Sequence, residues 1–253
     1  MSESAATLEL TGNVAVLTLN RPRVHNAVDQ TMMAALEHAL DRIEQSPARA
    51  VVLTAAGERS FCAGSDLRYF ATLTEADQVR AMCARIQAIL DRLYLGERPV
   101  IAAVNGNAHG GGCEILSACH LRLAPAEVRF QFKQAGMGVV TGWGGAQRLF
   151  RLLGTGTATR LLVTGRAFGG DEAVRLGFVD MLVPAEQLMA EAVALGEQIA
   201  AGAPLAVSSF LSLARAFHEL PADQARALET DLFVARWSEP WFQQAMTRFI
   251  TKK

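Results

Sequence analysis

The sequence predicts an α/β layered domain followed by a helical region. Two largely apolar runs, 50–54 and 100–104, have the length of strands and the composition of strands that are covered on both faces. Stretches with helical periodicity alternate with these runs over the first 125 residues. Beyond Pro184 only helical patterns follow, and prolines separate them. Alternation followed by helices alone favours a layered α/β core with a C-terminal helical region.

The first predicted elements are a hairpin and a capped helix. Residues 6–10 and 14–19 are β-prone and are separated by Thr11-Gly12-Asn13, which has the composition of a turn. Two further helices are predicted over 75–94 and 111–119, each next to one of the apolar strands. Asp29 can cap the first helix, whose apolar side chains recur at steps of three and four residues: Met33, Leu36, Leu40 and Ile43.

The C-terminal quarter is predicted to be entirely helical. We place the change of character near residue 190, which divides the chain into a core of residues 1–190 and a helical region of residues 191–253. The predicted helices cover 185–201, 206–219, 222–235 and 241–249.

Composition and charge narrow the class of protein. The chain has 24 Lys and Arg against 25 Asp and Glu and no basic run interleaved with aromatics, so nucleic acid is not an expected partner. The four cysteines form neither a CxxC pair nor a Cys/His cluster with zinc spacing, so no metal site is expected. The sequence also lacks a secretory signal pattern and an apolar stretch of about 18 residues, so no membrane partner is expected. We therefore expect a cytoplasmic protein with free thiols.

Two glycine-rich loops carry the chemistry. FCAGSDL at residues 61–67 and VNGNAHGGGCE at residues 104–114 each follow a probable strand and lead into a probable helix. Glycine permits a positive φ and a close approach of the backbone to a ligand, and the start of a helix offers free N–H groups. Two such loops side by side can direct two N–H donors at one oxygen. The loops therefore predict an oxyanion hole, in which each donor contributes about 2.7–4 kcal/mol to lowering the barrier.

These loops resemble the oxyanion signatures of the crotonase family, the enoyl-CoA hydratases and isomerases. LNRP with HNA (19–22 and 25–27), GWGGAQRL (142–149) and GRA (165–167) resemble further signatures of that family in the same order. The resemblance implies a spiral of ββα units with a C-terminal helical oligomerisation region that forms homotrimers or hexamers. It also implies that Ser65 and Gly111 direct their N–H groups at the carbonyl oxygen of an acyl-CoA thioester.

The resemblance further implies where coenzyme A is held as part of the substrate, with no separate cofactor. Backbone around Ala63 corresponds to the segment that binds the adenine or pantetheine. Basic side chains are expected at the CoA phosphates, with Arg21, Lys252 and Lys253 as candidates. Asp66 lies where a helix cap is natural, and we favour that role over contact with CoA. The predicted CoA-binding residues are Arg21, Ala63 and Gly64, with Asp66 as a further candidate for which capping is the favoured role.

The predicted catalytic residues depart from the pattern of family hydratases, which place two glutamates around a water. The first corresponds to Glu114, but the second position holds Gln134, and no acidic residue occurs between Glu127 and Asp171. An amide cannot shuttle a proton near neutral pH, so hydration by two glutamates is in doubt. Residues 64–67, 143–145 and 237–240, with Gln134, resemble the ethylmalonyl-CoA decarboxylase-like branch, and decarboxylation of a methylmalonyl- or ethylmalonyl-CoA is the leading prediction.

Three alternatives remain open. The first is a 2-enoyl-CoA hydratase that uses Glu114 alone, and the second is an acyl-CoA binder without catalytic activity. The third is an RNA-binding member of the family, against which the near-neutral charge speaks. Glu114 could also serve only to cap or solvate a helix, although its glycine-rich loop favours a catalytic role.

Overall fold

The computed structural model describes residues 4–251 of the chain. The first and last few residues, including the candidate phosphate ligands Lys252 and Lys253, lie outside the described part. Short 3₁₀ helices occur at Pro22–Val24, Ala135–Met137 and Ala185–Gln187.

Strands and helices alternate over the first two thirds of the chain. Within residues 4–251 the strands are β1 (Ala6–Thr11), β2 (Val14–Leu19), β3 (Ala50–Ala55), β4 (Ser60–Cys62), β5 (Val100–Ala103), β6 (Asn107–His109), β7 (Leu121–Ala124), β8 (Arg129–Gln131), β9 (Ala167–Gly169) and β10 (Met181–Leu182). The α-helices are α1 (Gln30–Gln45), α2 (Leu67–Phe70), α3 (Ala76–Tyr94), α4 (Gly111–Ser117), α5 (Gly145–Thr164), α6 (Gly170–Leu176), α7 (Leu188–Ala200), α8 (Pro204–Glu219), α9 (Ala222–Trp237) and α10 (Pro240–Thr251).

A six-stranded sheet with the order β1-β2-β3-β5-β7-β10 forms the larger layer. The hairpin of β1 and β2 is antiparallel, as predicted, and β2, β3, β5, β7 and β10 pair in parallel. All six residues of β3 are buried, which confirms that its apolar run is a strand covered on both faces.

The two faces of this sheet are covered by different helices. Ala15 and Leu17 of β2 pack into the cluster that contains the buried faces of α1 and α3. Val14 and Val16, on the opposite face, pack with Leu188 and Ala192 of α7. The alternation follows from the two-residue period of a strand. Asp29 caps α1 by accepting a hydrogen bond from the Met32 N–H at 2.9 Å, which confirms the predicted start of that helix.

The predicted domain boundary near residue 190 falls inside α7. Leu188 and Ala192 are buried against the large sheet, so α7 packs as part of the core. Helices α8–α10 then carry the large exposed apolar side chains of the C-terminal region. The division into residues 1–190 and 191–253 stays a prediction. The helices with many large exposed apolar side chains begin after Ala200.

The smaller sheet has the order β4-β6-β8-β9 and positions the glycine-rich loops. β4, β6 and β8 pair in parallel, and β9 is antiparallel to β8. Each of these strands has only three residues, and the sequence prediction treated β4 and β6 as loops, which was wrong. Three residues are too few to show a periodic pattern, so their pairing partners, far apart in the chain, define them.

Two further features concern membrane-spanning helices and metal sites. Among residues 4–251, no single helix is long and apolar enough to cross a bilayer. The helices Ala185–Ala200 and Pro204–Glu219 reach that length and apolarity only when they are taken together, and they are bent by 105° relative to each other. Across the same residues, no group of three or more His, Cys, Asp or Glu side chains is placed to hold a metal ion.

Candidate active site

The candidate site lies where three parallel strands of the smaller sheet end. β4 ends at Cys62, β6 at His109 and β8 at Gln131. Ser65, Gly111 and Gln134 each follow one of these ends within three residues. Because the carboxyl ends of parallel strands lie at one edge of a sheet, this topology brings together residues that are separated by up to 69 positions in sequence (134 − 65).

Ser65 presents its N–H group away from the segment that supports it. Residues Val28 and Ser65 form a parallel bridge. In this bridge the Val28 N–H donates to the Gly64 carbonyl at 2.8 Å, and the Asp66 N–H donates to the Val28 carbonyl at 2.9 Å. The backbone groups on either side of Ser65 are therefore occupied, and its own N–H faces the other way. Within residues 4–251 that N–H donates to no acceptor.

Gly111 lies directly beside the first loop and offers a second free N–H. It is the first residue of α4, so no carbonyl within the helix can accept from it, and none elsewhere in the described residues does. A methyl group built on Gly64, whose φ is +94°, would lie 2.9 Å from the Gly111 nitrogen and 3.1 Å from the His109 oxygen. This proximity requires glycine at 64, and it juxtaposes the two predicted oxyanion-hole amides.

Glu114 lies one turn further along α4, and its side chain is only 2% exposed. Its Oε2 accepts hydrogen bonds from the N–H groups of Trp143 at 2.8 Å and Gly145 at 3.0 Å. Its Oε1 accepts from Gln134 Nε2 at 3.0 Å. Glu114 therefore holds the turn that starts α5, as a cap would, but it is not a solvated surface residue. One oxygen is fixed by the backbone, and the other faces Gln134.

Burial raises the pKa of the Glu114 carboxyl from its ordinary value of 4.5. The N–H groups of Trp143 and Gly145, the Gln134 amide and the positive charge of Arg148 act in the opposite direction, but burial outweighs them. A carboxyl whose pKa is raised toward neutrality can exchange a proton more readily than an exposed glutamate. This is the property that a general base or acid needs.

Gln134 has a buried amide oxygen without a hydrogen-bond donor among the described residues. Its Nε2 donates to Glu114, whereas its Oε1 is buried and accepts no hydrogen bond from the described residues. A buried acceptor without a donor is destabilising unless a bound molecule supplies the donor. Direct contact of Gln134 with substrate or water stays a prediction.

Trp143 connects the oxyanion hole to Glu114. Its backbone N–H bonds to Glu114, and its indole ring packs where a side chain on Gly111 would lie. It is 3% exposed and belongs to the main core cluster. Replacing Gly111 would therefore displace the ring.

The predicted CoA-binding residues lie around the first loop, and their role toward CoA stays a prediction. Ala63 is exposed at the surface of that loop, and its N–H donates to the His25 carbonyl at 3.0 Å. The Asp66 carboxylate accepts from the Arg68 N–H at 3.0 Å, which confirms the favoured helix-capping role. The Arg21 guanidinium is paired with carboxylates of Asp29 at 2.7 Å and Asp66 at 3.4 Å.

The pairing of Arg21 bears on its predicted contact with a CoA phosphate. A CoA phosphate would have to compete with the Asp29 and Asp66 carboxylates for this guanidinium. Arg21 therefore fastens the N-terminal segment to the first oxyanion loop. No sequence motif singled out this pairing, because it depends on residues that are 45 positions apart.

Buried thiols lie beside the two loops but do not act as nucleophiles in this geometry. Cys62 and Cys113 are fully buried, and burial raises the pKa of both thiols, for Cys62 to about 12. Both groups therefore stay protonated near neutral pH. Their role in this geometry is packing.

The fold and the paired amides define this chain as a protein of the crotonase class. Residues 9–253 match the family described as "Enoyl-CoA hydratase/isomerase". The chain is 38% identical to a "Short-chain-enoyl-CoA hydratase" of Clostridium acetobutylicum, over 97% of this chain and 94% of that protein. It is 34% identical to a "Crotonyl-CoA hydratase" of Syntrophomonas wolfei, over 97% and 95% of the two chains. The crystal structure of an enoyl-CoA hydratase from Bacillus anthracis superposes with a TM-score of 0.93 at 30% identity, covering 98% of this chain and 97% of that one.

The chain belongs to the enoyl-CoA hydratase/isomerase family. It is an enzyme of that family with the crotonase-like α/β fold. The relatives carry hydratase names, so the comparisons do not support the predicted closeness to the ethylmalonyl-CoA decarboxylase-like branch. Of the two reactions considered from the sequence, they favour the alternative, hydration, over decarboxylation.

Proposed function

We propose that this enzyme hydrates a short 2-enoyl-CoA, with Glu114 as its only catalytic carboxylate. The observation that carries the proposal is the fixed position of Glu114. Its Oε2 is held by two backbone N–H groups, and it lies one helical turn from the Gly111 amide. The names of the relatives, a short-chain-enoyl-CoA hydratase and a crotonyl-CoA hydratase, support the choice of reaction and of a short acyl chain.

The first chemical step uses the two amides and the ionised carboxylate together. The thioester oxygen accepts hydrogen bonds from the Ser65 and Gly111 N–H groups, which draws electron density from C3 of the enoyl group. Water attacks C3 while Glu114 removes one of its protons, and the electrons of the double bond move onto the thioester as an enolate. Hydrogen bonds that strengthen as the enolate forms lower the barrier selectively.

The second step returns the proton to carbon. Protonated Glu114 delivers the proton to C2, the enolate collapses to the thioester, and the product is a 3-hydroxyacyl-CoA with Glu114 ionised again. One water is consumed and no other group is needed, because coenzyme A enters as part of the substrate.

Gln134 can orient the water without taking a proton. Its free, buried Oε1 can accept the O–H that is not transferred, while its Nε2 holds Glu114. An amide in this position supplies geometry but no second base. We therefore expect hydration that depends on one carboxylate.

Decarboxylation of a malonyl-type CoA is the second candidate, and the identity of residue 134 favours it. A substrate carboxylate about 4 Å from a glutamate at that position would be repelled by roughly 4 kcal/mol at an effective dielectric of 20. Gln134 removes that repulsion and offers a donor. The C–C bond electrons would then pass to an enolate at Ser65 and Gly111, CO2 would leave, and protonated Glu114 would supply the proton to carbon.

A panel of CoA thioesters separates the two reactions. Crotonyl-CoA is followed by the loss of enoyl thioester absorbance, and methylmalonyl- and ethylmalonyl-CoA by CO2 release. We expect rapid hydration that Glu114→Gln abolishes, with CO2 release near the uncatalysed rate. Rapid CO2 release with negligible hydration would replace the main proposal by the second. Binding of CoA thioesters without turnover of any of them would indicate a non-catalytic binder.

We also propose that the protein is a homotrimer or a dimer of trimers. The support is the set of large apolar side chains that α8–α10 leave exposed, because exposed apolar patches on proteins mark interaction sites. The most exposed of these are Phe210, Phe217, Phe233, Val234, Phe249 and Ile250.

A further inference from the structure

Arg148 is a buried charge that connects three elements near the catalytic carboxylate. It lies in α5 and is 5% exposed. Its Nε donates to Ser117 Oγ of α4 at 3.2 Å, and one terminal nitrogen is 3.4 Å from Asp91 Oδ1 of α3. The other terminal nitrogen donates to the backbone carbonyl of Trp143. Ser117 Oγ donates in turn to the Glu114 carbonyl at 2.6 Å, so Arg148 also supports the backbone of the catalytic residue.

The turn at Trp143 is held from both sides. Its carbonyl accepts from Arg148, whereas its N–H donates to Glu114 Oε2. Gly144 follows with a φ of +80°, and a methyl group built on it would lie 2.9 Å from an Arg148 terminal nitrogen. The Gly145 N–H then gives Glu114 Oε2 its second hydrogen bond. Both donors to Oε2 therefore come from a turn that packs on the Arg148 guanidinium.

We infer that Arg148 is a positioning residue for Glu114, acting through the Trp143–Gly145 turn and not through contact with substrate. The inference rests on the proposed function where it takes Glu114 as the catalytic base. It explains why a guanidinium is buried here: only a planar group with several donors can bond Trp143, Ser117 and Asp91 at once. Lysine carries the same charge but cannot reproduce that set of directions.

The charge of Arg148 has a separate consequence for proton exchange. Its proximity lowers the pKa of Glu114, against the larger effect of burial. The other titratable groups near Glu114 are the thiols of Cys83 on α3 and Cys113 on α4, and burial raises the pKa of both, so they stay neutral. Asp91 and Tyr94 of α3 and Cys119 face Arg148 itself. Removing the guanidinium charge therefore raises the pKa of Glu114 further.

The test compares Arg148→Gln, Arg148→Lys and a matched control, Arg151→Gln. Arg151 lies one turn further along α5, half-buried, with Glu219 as its ion-pair partner at 3.7 Å. For each protein, kcat and KM for crotonyl-CoA are measured as a function of pH. Independently of turnover, Glu114 is titrated by the infrared difference spectrum of its carboxyl group against the same protein carrying Glu114→Gln.

Arg148→Gln is expected to lower kcat about 10- to 100-fold, the size of effect that a small misplacement of a catalytic group produces, with KM little changed. The acid limb of its pH profile and the infrared titration both move to higher pH. Arg148→Lys lowers kcat with little movement of either, because it keeps the charge and loses the geometry. Arg151→Gln changes neither kcat nor the titration of Glu114.

An unchanged kcat and an unchanged Glu114 titration in folded Arg148→Gln would overturn the inference. A loss of activity that only follows the folded fraction, with no change in titration, would also overturn it. If Arg148→Gln does not fold, an unchanged kcat in Arg148→Lys overturns the inference. If no protein hydrates crotonyl-CoA, the proposed function fails while the infrared titration still decides the role of Arg148.

Discussion

At the scale of single residues, Gln134 separates the chemistry of this site from a site with two glutamates. The amide holds Glu114 through Nε2, and its Oε1 has no donor among the described residues. Gln134→Glu adds a second carboxylate at the same position with nearly the same shape. If hydration is the reaction, this change supplies a second proton-transfer group, and we expect kcat for crotonyl-CoA to rise by about 10-fold or more.

Gln134→Glu has the opposite effect if decarboxylation is the reaction. The new glutamate then repels the substrate carboxylate, so CO2 release falls and KM for methylmalonyl-CoA rises. Gln134→Met serves as the control, because it keeps the approximate size of the side chain and removes both the hydrogen bond to Glu114 and the amide oxygen. A fall in hydration for Gln134→Glu would contradict the expected gain from a second proton-transfer group, and unchanged hydration in Gln134→Met would contradict water orientation by Gln134.

Glu114 makes a prediction about pH. As a base it must be ionised, so kcat/KM for hydration is low at acid pH and rises through the pKa of Glu114 to a plateau. Because burial raises this pKa, the midpoint of the rise lies above the ordinary value of 4.5. A stopped-flow pH profile with crotonyl-CoA, with Glu114→Gln as the inactive control, measures it. A profile that is highest at low pH and falls as pH rises would contradict ionised Glu114 as the base of hydration.

At the scale of elements, the packing of the two oxyanion loops predicts a severe effect of a single methyl group. Gly64 has a positive φ, and a Cβ added to it would lie 2.9 Å from the Gly111 nitrogen. Gly64→Ala must therefore displace the start of α4, which misdirects one donor of the oxyanion hole. We expect kcat to fall about 100- to 1000-fold, as for the loss of one such donor, with the protein still folded.

The control for this change is Gly156→Ala. Gly156 lies within α5 with no atom within 4 Å of an added methyl group, so alanine there is accommodated and favours the helix. Far-ultraviolet circular dichroism confirms folding, and crotonyl-CoA turnover reports the effect. Equal activity of the two alanine variants would show that the loops do not form the oxyanion hole.

The same elements show what the sequence could and could not predict. The hairpin, α1 and β3 have periodic or continuous apolar patterns, and the structure has them where they were predicted. The glycines of the two loops indicated an oxyanion hole because only glycine fits so close a backbone approach. The three-residue strands that bring the loops together carry no such local pattern. Their pairing, like the bridge of Val28 to Ser65, depends on residues that meet only in the folded chain.

The contacts of Arg148 likewise could not be predicted from the sequence. It lies within the GWGGAQRL signature that supported the family resemblance, but a signature does not say what each residue contacts. Its partners come from α3, α4 and the turn before α5. The sequence shows only an arginine that follows a glycine-rich turn; its burial, which requires partners for its donors, is known only from the structure.

At the scale of the whole molecule, the exposed apolar faces of α8–α10 predict association. Phe217 is 77% exposed and Phe249 83% exposed, in helices that otherwise pack mainly on one another. Burying such side chains against a second copy removes apolar surface from water, at about 25 cal/mol per Å². We expect light scattering after size exclusion to give three or six times the mass of the chain at micromolar concentration.

Two substitutions make the prediction specific to these helices. Phe217→Glu places a charge in the proposed interface and should shift the protein toward monomers, because an unpaired charge is costly to bury. Leu10→Glu, at an exposed position of β1, is the matched control and should leave the mass unchanged. A wild-type protein that remains monomeric at micromolar concentration would contradict the proposal, as would a Phe217→Glu variant with the full oligomeric mass. In either case the apolar faces of α8–α10 would need another explanation than contact between copies of this chain.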